Sequence, residues 1–157
     1  MYLHQAVGER FELVASDVDA QSVAVAERGE YAQTAMAGVP AAWIPRWFAL
    51  SAERAIAQPK LRQQVQFAVH DLAGPQLVPA QAVVAHFDLI VCCNVLIYLQ
   101  PRLRALCLRR FVGMLPVGGA LILGAAETVA GPDAKWFEPQ PGAPAKLHIY
   151  RRIRGMP

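Results

Sequence analysis

The chain has 157 residues, of which 15 are Lys or Arg and 12 are Asp or Glu, so its formal net charge is +3. This length suits one domain, and 55% hydrophobic with 17% charged residues exclude a disordered chain. The best apolar run, residues 87–99, contains Asp88 and is shorter than the roughly 18 residues that cross a bilayer, so we expect no membrane insertion.

The termini indicate the compartment and the class of partner. The N-terminal sequence MYLHQAVGER lacks the basic and apolar regions of a secretory signal, so we expect a cytoplasmic protein. Three arginines, at positions 151, 152 and 154, are interpreted as a solvated basic tail. Since the charge excess is small and local, we expect no nucleic-acid partner.

The three cysteines predict neither disulfides nor a metal centre. Cys92, Cys93 and Cys107 form an odd set without CxxC spacing, and two of them are adjacent in an apolar run. This pattern favours reduced, buried thiols, so we expect no bound metal.

The N-terminal half begins with a strand followed by a helix. FELVAS, residues 11–16, is typical of a strand, and residues 20–28 have the periodicity of an amphipathic helix. Asp19 can cap the start of that helix, and Gly29 can adopt the left-handed conformation after its end. Residues 38–63 contain three prolines and two tryptophans, which predict short helices and loops packed through aromatic side chains.

The C-terminal half has the pattern of a parallel sheet with an antiparallel edge. Residues 65–71 alternate as a strand, and residues 87–99 begin as a strand buried on both faces and end it at Asn94. Residues 101–115 have helical periodicity, and residues 120–126 form another buried strand. The segments WFEP and KLHIYRR then predict a closing antiparallel pair, so we expect an α/β fold.

Polar residues that follow these strands are the candidates for ligand binding, because ligands collect at the carboxyl ends of strands in such sheets. Asp17 can accept hydrogen bonds from two ribose hydroxyls, and an ordinary turn aspartate is an equally good interpretation. Asp71 can accept from an adenine amine while Leu72 covers the ring, although a loop aspartate is somewhat favoured by the residues alone. Asn94 can donate and accept toward a small ligand or simply cap a turn. Tyr98 offers a phenol at the same rim, or packs.

Several segments, in their order and spacing, resemble the C-terminal catalytic domain of CheR-type chemotaxis receptor methyltransferases. They are DVDAQSVAVAERGEY, the segment ending in RWF, VQFAVHDL, FDLIVCCNVLIYL, LPVGGALILGAAE and the closing FEP to IYR. The resemblance covers roughly residues 1–152. It implies a Rossmann-like, S-adenosylmethionine-dependent methyltransferase sheet over residues 1–157, with a small antiparallel subdomain inserted at about residues 30–63.

The same resemblance implies the chemistry and the residues that carry it. The cofactor would be S-adenosylmethionine, and the partner a chemoreceptor or related signalling protein whose glutamate side chains are methylated. Tyr98 would line the methyl-transfer pocket as the candidate catalytic residue. Asp17 would bind the ribose, with the adenine and the rest of the pocket contacted by the other cofactor-binding residues: Asp71, Leu72, Asn94 and Val95.

The sequence departs from the family pattern at two motifs. The family's Cys-Arg-Asn appears as CCN at residues 92–94, and a thiol cannot replace the planar, charged fork of arginine. The family's Gly-His-Ser-Glu appears as GAAE at residues 124–127, with two fewer hydrogen-bonding side chains.

The resemblance also implies a strand and a Gly-rich loop before FELVAS, and this sequence starts with MYLHQAV, inside the helix that would follow them. That strand would be central, so we expect two exposed apolar edges, each lacking a neighbour at about 4.8 Å. We therefore expect a chain that binds its cofactor weakly and turns over poorly. The alternative is a non-catalytic remnant, or a module that binds a signalling partner and is completed by another chain.

Overall fold

The computed structural model describes residues 1–8, 11–82, 85–144 and 146–154. These residues fall into two compact units. The first comprises the described residues of Met1–Asp71 with Val78–Ala82, and the second comprises Leu72–Leu77 with the described residues of Val83–Pro157.

The first unit contains a parallel strand pair and a small antiparallel sheet. In chain order the elements are α1 (Tyr2–Val7), β1 (Leu13–Asp17), α2 (Ala20–Arg28), β2 (Glu30–Ala32), α3 (Ile44–Trp47), β3 (Phe48–Leu50), β4 (Arg54–Ala57), α4 (Pro59–Arg62) and β5 (Val65–Val69), with 3-10 turns at Gln33–Gly38 and Ala41–Trp43. Strands β1 and β5 pair in parallel, with Leu13 opposite Val65 and Asp17 opposite Val69. Strand β4 pairs antiparallel with β2 on one side and β3 on the other.

Helix α2 begins and ends as its sequence predicts. The carboxylate of Asp19 accepts from the backbone N–H groups of Gln21 and Ser22 at 3.1 Å each, which satisfies two donors that the helix leaves open. Gly29 follows the helix with φ 66°, and its N–H donates to the carbonyl of Val25. Both predicted caps are confirmed.

The segment of residues 38–63 differs from the short helices and loops that its composition predicts. Short helices are present, but Phe48–Leu50 and Arg54–Ala57 are strands rather than loops. These strands have three and four residues. Segments of that length are too short for an alternation of apolar and polar residues to be recognised in the sequence. They are held by packing, since Trp47, Phe48, Ala55 and Ala57 form a buried cluster.

The second unit is a four-stranded sheet with one long helix. The elements are β6 (Leu89–Cys92), a 3-10 turn (Leu96–Tyr98), α5 (Pro101–Met114), β7 (Ala120–Gly124), a 3-10 turn (Gly131–Trp136), β8 (Phe137–Pro139) and β9 (Leu147–Arg152). The strand order is β6-β7-β9-β8, in which β6 and β7 are parallel and β9 is antiparallel to both of its neighbours. The predicted closing pair is therefore confirmed, and so is the mixed α/β class.

Two predictions about burial are wrong in the second unit. Val91 in β6 is 62% exposed, so that strand is not buried on both faces; it lies at the edge of its sheet. Arg152 is only 8% exposed, because β9 continues through residue 152 and strand alternation turns this side chain inward. Its guanidinium donates to the carbonyls of Leu115 and Arg154, so it is not part of a solvated tail.

The described residues form three sheets, in which three parallel strands have a neighbour on one side only. Strands β1 and β5 pair only with each other, and β6 pairs only with β7. Each of them carries an exposed apolar side chain: Leu13 on β1, Val69 on β5 and Val91 on β6. Exposed apolar edges are therefore not confined to the two that the sequence predicts.

Within the part of the chain that the structure describes, no helix is both long and apolar enough to span a membrane.

Candidate functional site

In the first unit, two aspartates lie at the carboxyl ends of paired strands. Asp17 is the last residue of β1, and its carbonyl accepts from the backbone N–H of His70 at 2.9 Å, just beyond the end of β5. Asp71 directly follows His70 and is exposed. The parallel register therefore brings Asp17 and Asp71 to the same edge of this strand pair.

The carboxylate of Asp17 is oriented by its own turn. Its Oδ1 accepts from the backbone N–H of Asp19 at 2.9 Å, a local hydrogen bond typical of an aspartate in a turn. The residue is exposed, and among the described residues its Oδ2 takes no hydrogen bond. One oxygen thus fixes the side chain, and the other can accept from a ligand hydroxyl.

In the second unit, the chain bends at residues 94 and 95, just after β6. Asn94 has φ 60°, the left-handed region that non-glycine residues seldom adopt. The 3-10 turn Leu96–Tyr98 follows, and the N–H of Tyr98 donates to the carbonyl of Val95 at 3.1 Å. Asn94 and Val95 are exposed, Tyr98 is 81% exposed, and Leu96 is buried beneath them.

The carboxylate of Glu127 holds this turn in place. Its Oε1 accepts from the N–H groups of Val95 at 2.8 Å and Leu96 at 2.7 Å. Its Oε2 accepts from the N–H groups of Asn94 at 2.8 Å and Gly124 at 2.9 Å. Glu127 is only 3% exposed, so four backbone donors, rather than water, solvate its charge.

Gly124, at the end of β7, leaves the space that this arrangement needs. A Cβ at this position would lie 3.0 Å from Glu127 Oε2 and 3.1 Å from Asn94 Oδ1. Carbon and oxygen atoms at that separation overlap, so a larger side chain would displace the carboxylate or the asparagine.

The protonation states around the turn follow from burial and hydrogen bonding. Burial raises the pKa of Glu127, but its four backbone donors lower it by more, so the pKa lies below its ordinary value and the group is an anion. Burial, with the negative charge of Glu127, raises the pKa of Cys92 to about 12 and also raises the pKa of Cys93. Cys93 is thus a neutral thiol.

Leu72 lies apart from this turn in the sequence and is fixed by α5. Its carbonyl accepts from the Arg110 guanidinium at 2.7 Å and from the Cys107 thiol at 3.7 Å. Its side chain is half-buried. The second unit therefore contains Leu72 and the turn of Asn94, Val95 and Tyr98, whereas Asp17 and Asp71 belong to the first unit.

Glu127 is the residue that sequence reasoning missed. It was visible as the last residue of GAAE, three positions after a glycine that ends a buried strand. A carboxylate that follows such an apolar segment needs hydrogen-bond donors if it is buried. This requirement was the signal in the sequence that could have identified Glu127. Which donors it meets depends on residues more than 30 positions earlier in the chain.

Comparison with known proteins identifies the family. Residues 1–145 match the model described as CheR methyltransferase, SAM binding domain. The chain is 32% identical over 131 residues to a probable chemotaxis protein methyltransferase of Rhizobium etli, covering 82% of this chain and 47% of that protein. It is 30% identical over 119 residues to an uncharacterized 104.1 kDa protein of Rhodobacter capsulatus, covering 75% of this chain and 12% of that protein.

The chain belongs to the CheR methyltransferase family, and the matched region is the S-adenosylmethionine-binding domain. It spans less than half the length of either curated relative. Among solved structures, the N-methyltransferase NodS from Bradyrhizobium japonicum WM9 superposes with a TM-score of 0.48 at 18% identity, covering 91% of this chain and 74% of that chain.

Proposed function

We propose that this chain forms the cofactor-binding part of a protein-glutamate O-methyltransferase that acts on a chemoreceptor or a related signalling protein. The observation that carries the proposal is the Asn94–Tyr98 turn, which is presented at the carboxyl end of a parallel strand inside the matched S-adenosylmethionine-binding region. In α/β sheets that edge is where ligands bind.

In the first unit, two carboxylates can accept hydrogen bonds from a nucleoside. Asp17 has an oriented carboxylate with Oδ2 available to ligand hydroxyls, and we assign it to the ribose. Asp71, exposed at the same edge of the strand pair, is assigned to the adenine amine. We also assign the antiparallel sheet of β2, β3 and β4 to the inserted subdomain.

In the second unit, we assign exposed residues to the remaining contacts with the cofactor and to the contact with the substrate. The Asn94 side-chain amide can donate and accept, and Val95 offers an exposed apolar surface. The position of Leu72 beside Asp71 in sequence assigns it to the adenine face. Tyr98 presents its phenol to solvent, where it can donate a hydrogen bond to a substrate carboxylate and orient it.

The proposed reaction asks the protein mainly for alignment. When bound, S-adenosylmethionine would supply the methyl group, which it carries on a positively charged sulfur. A glutamate side chain is already ionised at neutral pH, so no general base is required. Holding the two reacting groups in line is then the principal contribution, and Asn94, Val95 and Tyr98 are the residues assigned to it.

The names of the Rhizobium etli and other curated relatives support a chemotaxis role. The three free cysteines fit a reducing compartment, and we propose the cytoplasm as the site of action.

A methyl-transfer assay tests this function. The purified chain is incubated with methyl-labelled S-adenosylmethionine and the cytoplasmic fragment of a chemoreceptor, and base-labile methyl esters are counted. We expect label on the receptor that disappears when its substrate glutamates are replaced by alanine, and a slower rate for Tyr98→Phe. Label that persists without those glutamates would contradict the assignment of the substrate.

A second candidate function is a binding module that another chain completes. The one-sided strands β1 and β6 favour it, because exposed apolar edges bind additional strands. A folded chain that neither binds S-adenosylhomocysteine nor transfers methyl groups would support this alternative over the enzyme.

A further inference from the structure

We propose that Glu127 is a positioning residue, whose buried carboxylate fixes the backbone of Asn94 and Val95 so that these residues can contact the cofactor. The inference rests on the proposed function, and it goes beyond it by assigning a role to a residue that itself is not at the exposed rim. Its effect on the cofactor is transmitted through the turn.

The backbone of the turn is shaped as an anion-binding hollow. Asn94 is left-handed with φ 60°, and Val95 follows in the right-handed region with φ −115° and ψ −51°. Alternation of these two conformations points successive N–H groups to one side, and such concavities bind anions. The N–H groups of Asn94, Val95 and Leu96 all point at one carboxylate, at 2.7 to 2.8 Å.

In this protein, the anion in the hollow is part of the chain. Glu127 reaches the turn from beyond β7 and adds the N–H of Gly124 to its donors, so the ends of β6 and β7 are joined through one side chain. Its backbone carbonyl also accepts from His148 Nδ1 at 2.6 Å, which ties the same residue to β9. The position of the turn therefore depends on a group anchored to two neighbouring strands.

The internal carboxylate also limits what the turn can recognise. The three N–H groups are occupied, so they are not available to a phosphate or to another external anion. The groups left for a ligand are the Asn94 side chain and the apolar surface of Val95. Because the Asn94 amide both donates and accepts, the turn suits an uncharged polar group with an apolar surface beside it rather than an anion.

No cation compensates the charge among the described residues. The ionisable groups that face Glu127 from the neighbouring elements are Cys92, Cys93 and His148. The two thiols are neutral because their pKa values are raised, and the histidine contacts the backbone carbonyl rather than the carboxylate. Both carboxylate oxygens accept from N–H groups. A glutamine would turn an NH2 donor toward two of these donors, so a neutral side chain of the same shape cannot replace the carboxylate.

The experiment combines hydrogen exchange with chemical rescue. Backbone amide exchange is measured residue by residue by NMR, and affinity for S-adenosylhomocysteine by calorimetry, for the wild type, Glu127→Gln and Glu127→Ala. The control is Glu138→Gln, which removes the same charge from an exposed position on β8. Sodium formate is then added to Glu127→Ala, with sodium chloride at the same ionic strength as the reference.

We expect both Glu127 variants to exchange the amides of Asn94, Val95 and Leu96 at least about tenfold faster, and to bind S-adenosylhomocysteine at least about tenfold more weakly, which corresponds to the loss of one buried hydrogen bond to a charged group. The amide of Gly124, which donates to the same carboxylate, should respond with them. The other amides of β7 and β9 should change only by the factor that the loss of global stability sets, and the control should leave all of these amides unaffected. Formate, a small carboxylate, should restore both properties of Glu127→Ala, while chloride should not.

Unchanged exchange at residues 94–96, or a fall in melting temperature with unchanged affinity, would overturn the proposal. If the wild type itself does not bind S-adenosylhomocysteine, the proposed function fails, and the inferred route to the cofactor fails with it. The exchange and formate measurements would still decide, without ligand, whether Glu127 fixes the turn.

Discussion

The ends of β1 and β6 place candidate ligand-binding residues at an edge by two different means. At β1, Asp17 is oriented by the N–H of Asp19, two residues away. At β6, the turn at Asn94 is held by Glu127, which is 33 residues away. The first arrangement is local and exposed, and the second is long-range and buried. Substitutions at the first should therefore change binding alone, whereas substitutions at the second should change stability and binding together.

The largest expected effect is on stability, from Glu127→Ala. Removing the carboxylate leaves four backbone N–H groups without their acceptor, and an unsatisfied buried donor costs about 1 to 3 kcal/mol. Since water can reach part of the space that is vacated, we expect the free energy of unfolding to fall by about 3 kcal/mol in total. Urea denaturation measures it, with Glu138→Ala as the control at an exposed glutamate. A loss no greater than that of the control would contradict the anchoring role.

A smaller loss should follow Gly124→Ala. The added Cβ would lie 3.0 Å from the Glu127 carboxylate, and overpacking of this kind costs about 1 to 3 kcal/mol. Gly113 is the matched control, because it lies inside α5 and a Cβ there meets nothing within 4 Å. Alanine at Gly113 should stabilise the protein by about 0.5 to 1 kcal/mol. Equal effects of the two substitutions in thermal denaturation would argue against close packing at Gly124.

Acid should remove the contribution of Glu127 to stability. Since the folded-state pKa of Glu127 is lowered from 4.5, the stabilisation is fully present above that value and is lost as the pH falls through the lower, folded-state pKa. The difference in unfolding free energy between the wild type and Glu127→Gln should therefore narrow below pH 4.5. A difference that stays constant from pH 7 to pH 3 would show that the charge is not involved.

The smallest expected change in stability is that of Asp17→Ala, because this exposed carboxylate makes one local hydrogen bond. We expect the free energy of unfolding to change by less than about 0.5 kcal/mol. Denaturation curves that differ by several times this amount would show that the Asp17 side chain supports the fold.

The same contrast explains which features could be predicted from the sequence. Both caps of α2 depend on residues within a few positions of the helix ends, Asp19 and Gly29, and both are as expected. The long helix α5 and the strands β7 and β9 likewise show their periodicity directly. These elements are determined by local preferences that packing does not oppose.

The sequence does not predict features that depend on contacts between residues far apart in the chain. Three of the four donors to Glu127 lie more than 30 residues earlier in the chain. Arg152 is buried because a strand continues through it and because the Leu115 carbonyl accepts from its guanidinium. The exposure of Val91 reflects the position of β6 at a sheet edge. The short strands β3 and β4 owe their structure to a cluster around Trp47 and Phe48. Single-sequence patterns do not contain these long-range pairings.

The most direct test of the account is a calorimetric titration of the purified chain with S-adenosylhomocysteine. The account predicts micromolar binding by the wild type, at least about tenfold weaker binding by Asp17→Ala because a charged hydrogen-bond acceptor is lost, and unchanged binding by Glu53→Ala, which removes an exposed carboxylate from the same unit. No heat of binding from a chain whose circular dichroism shows it to be folded would contradict the account.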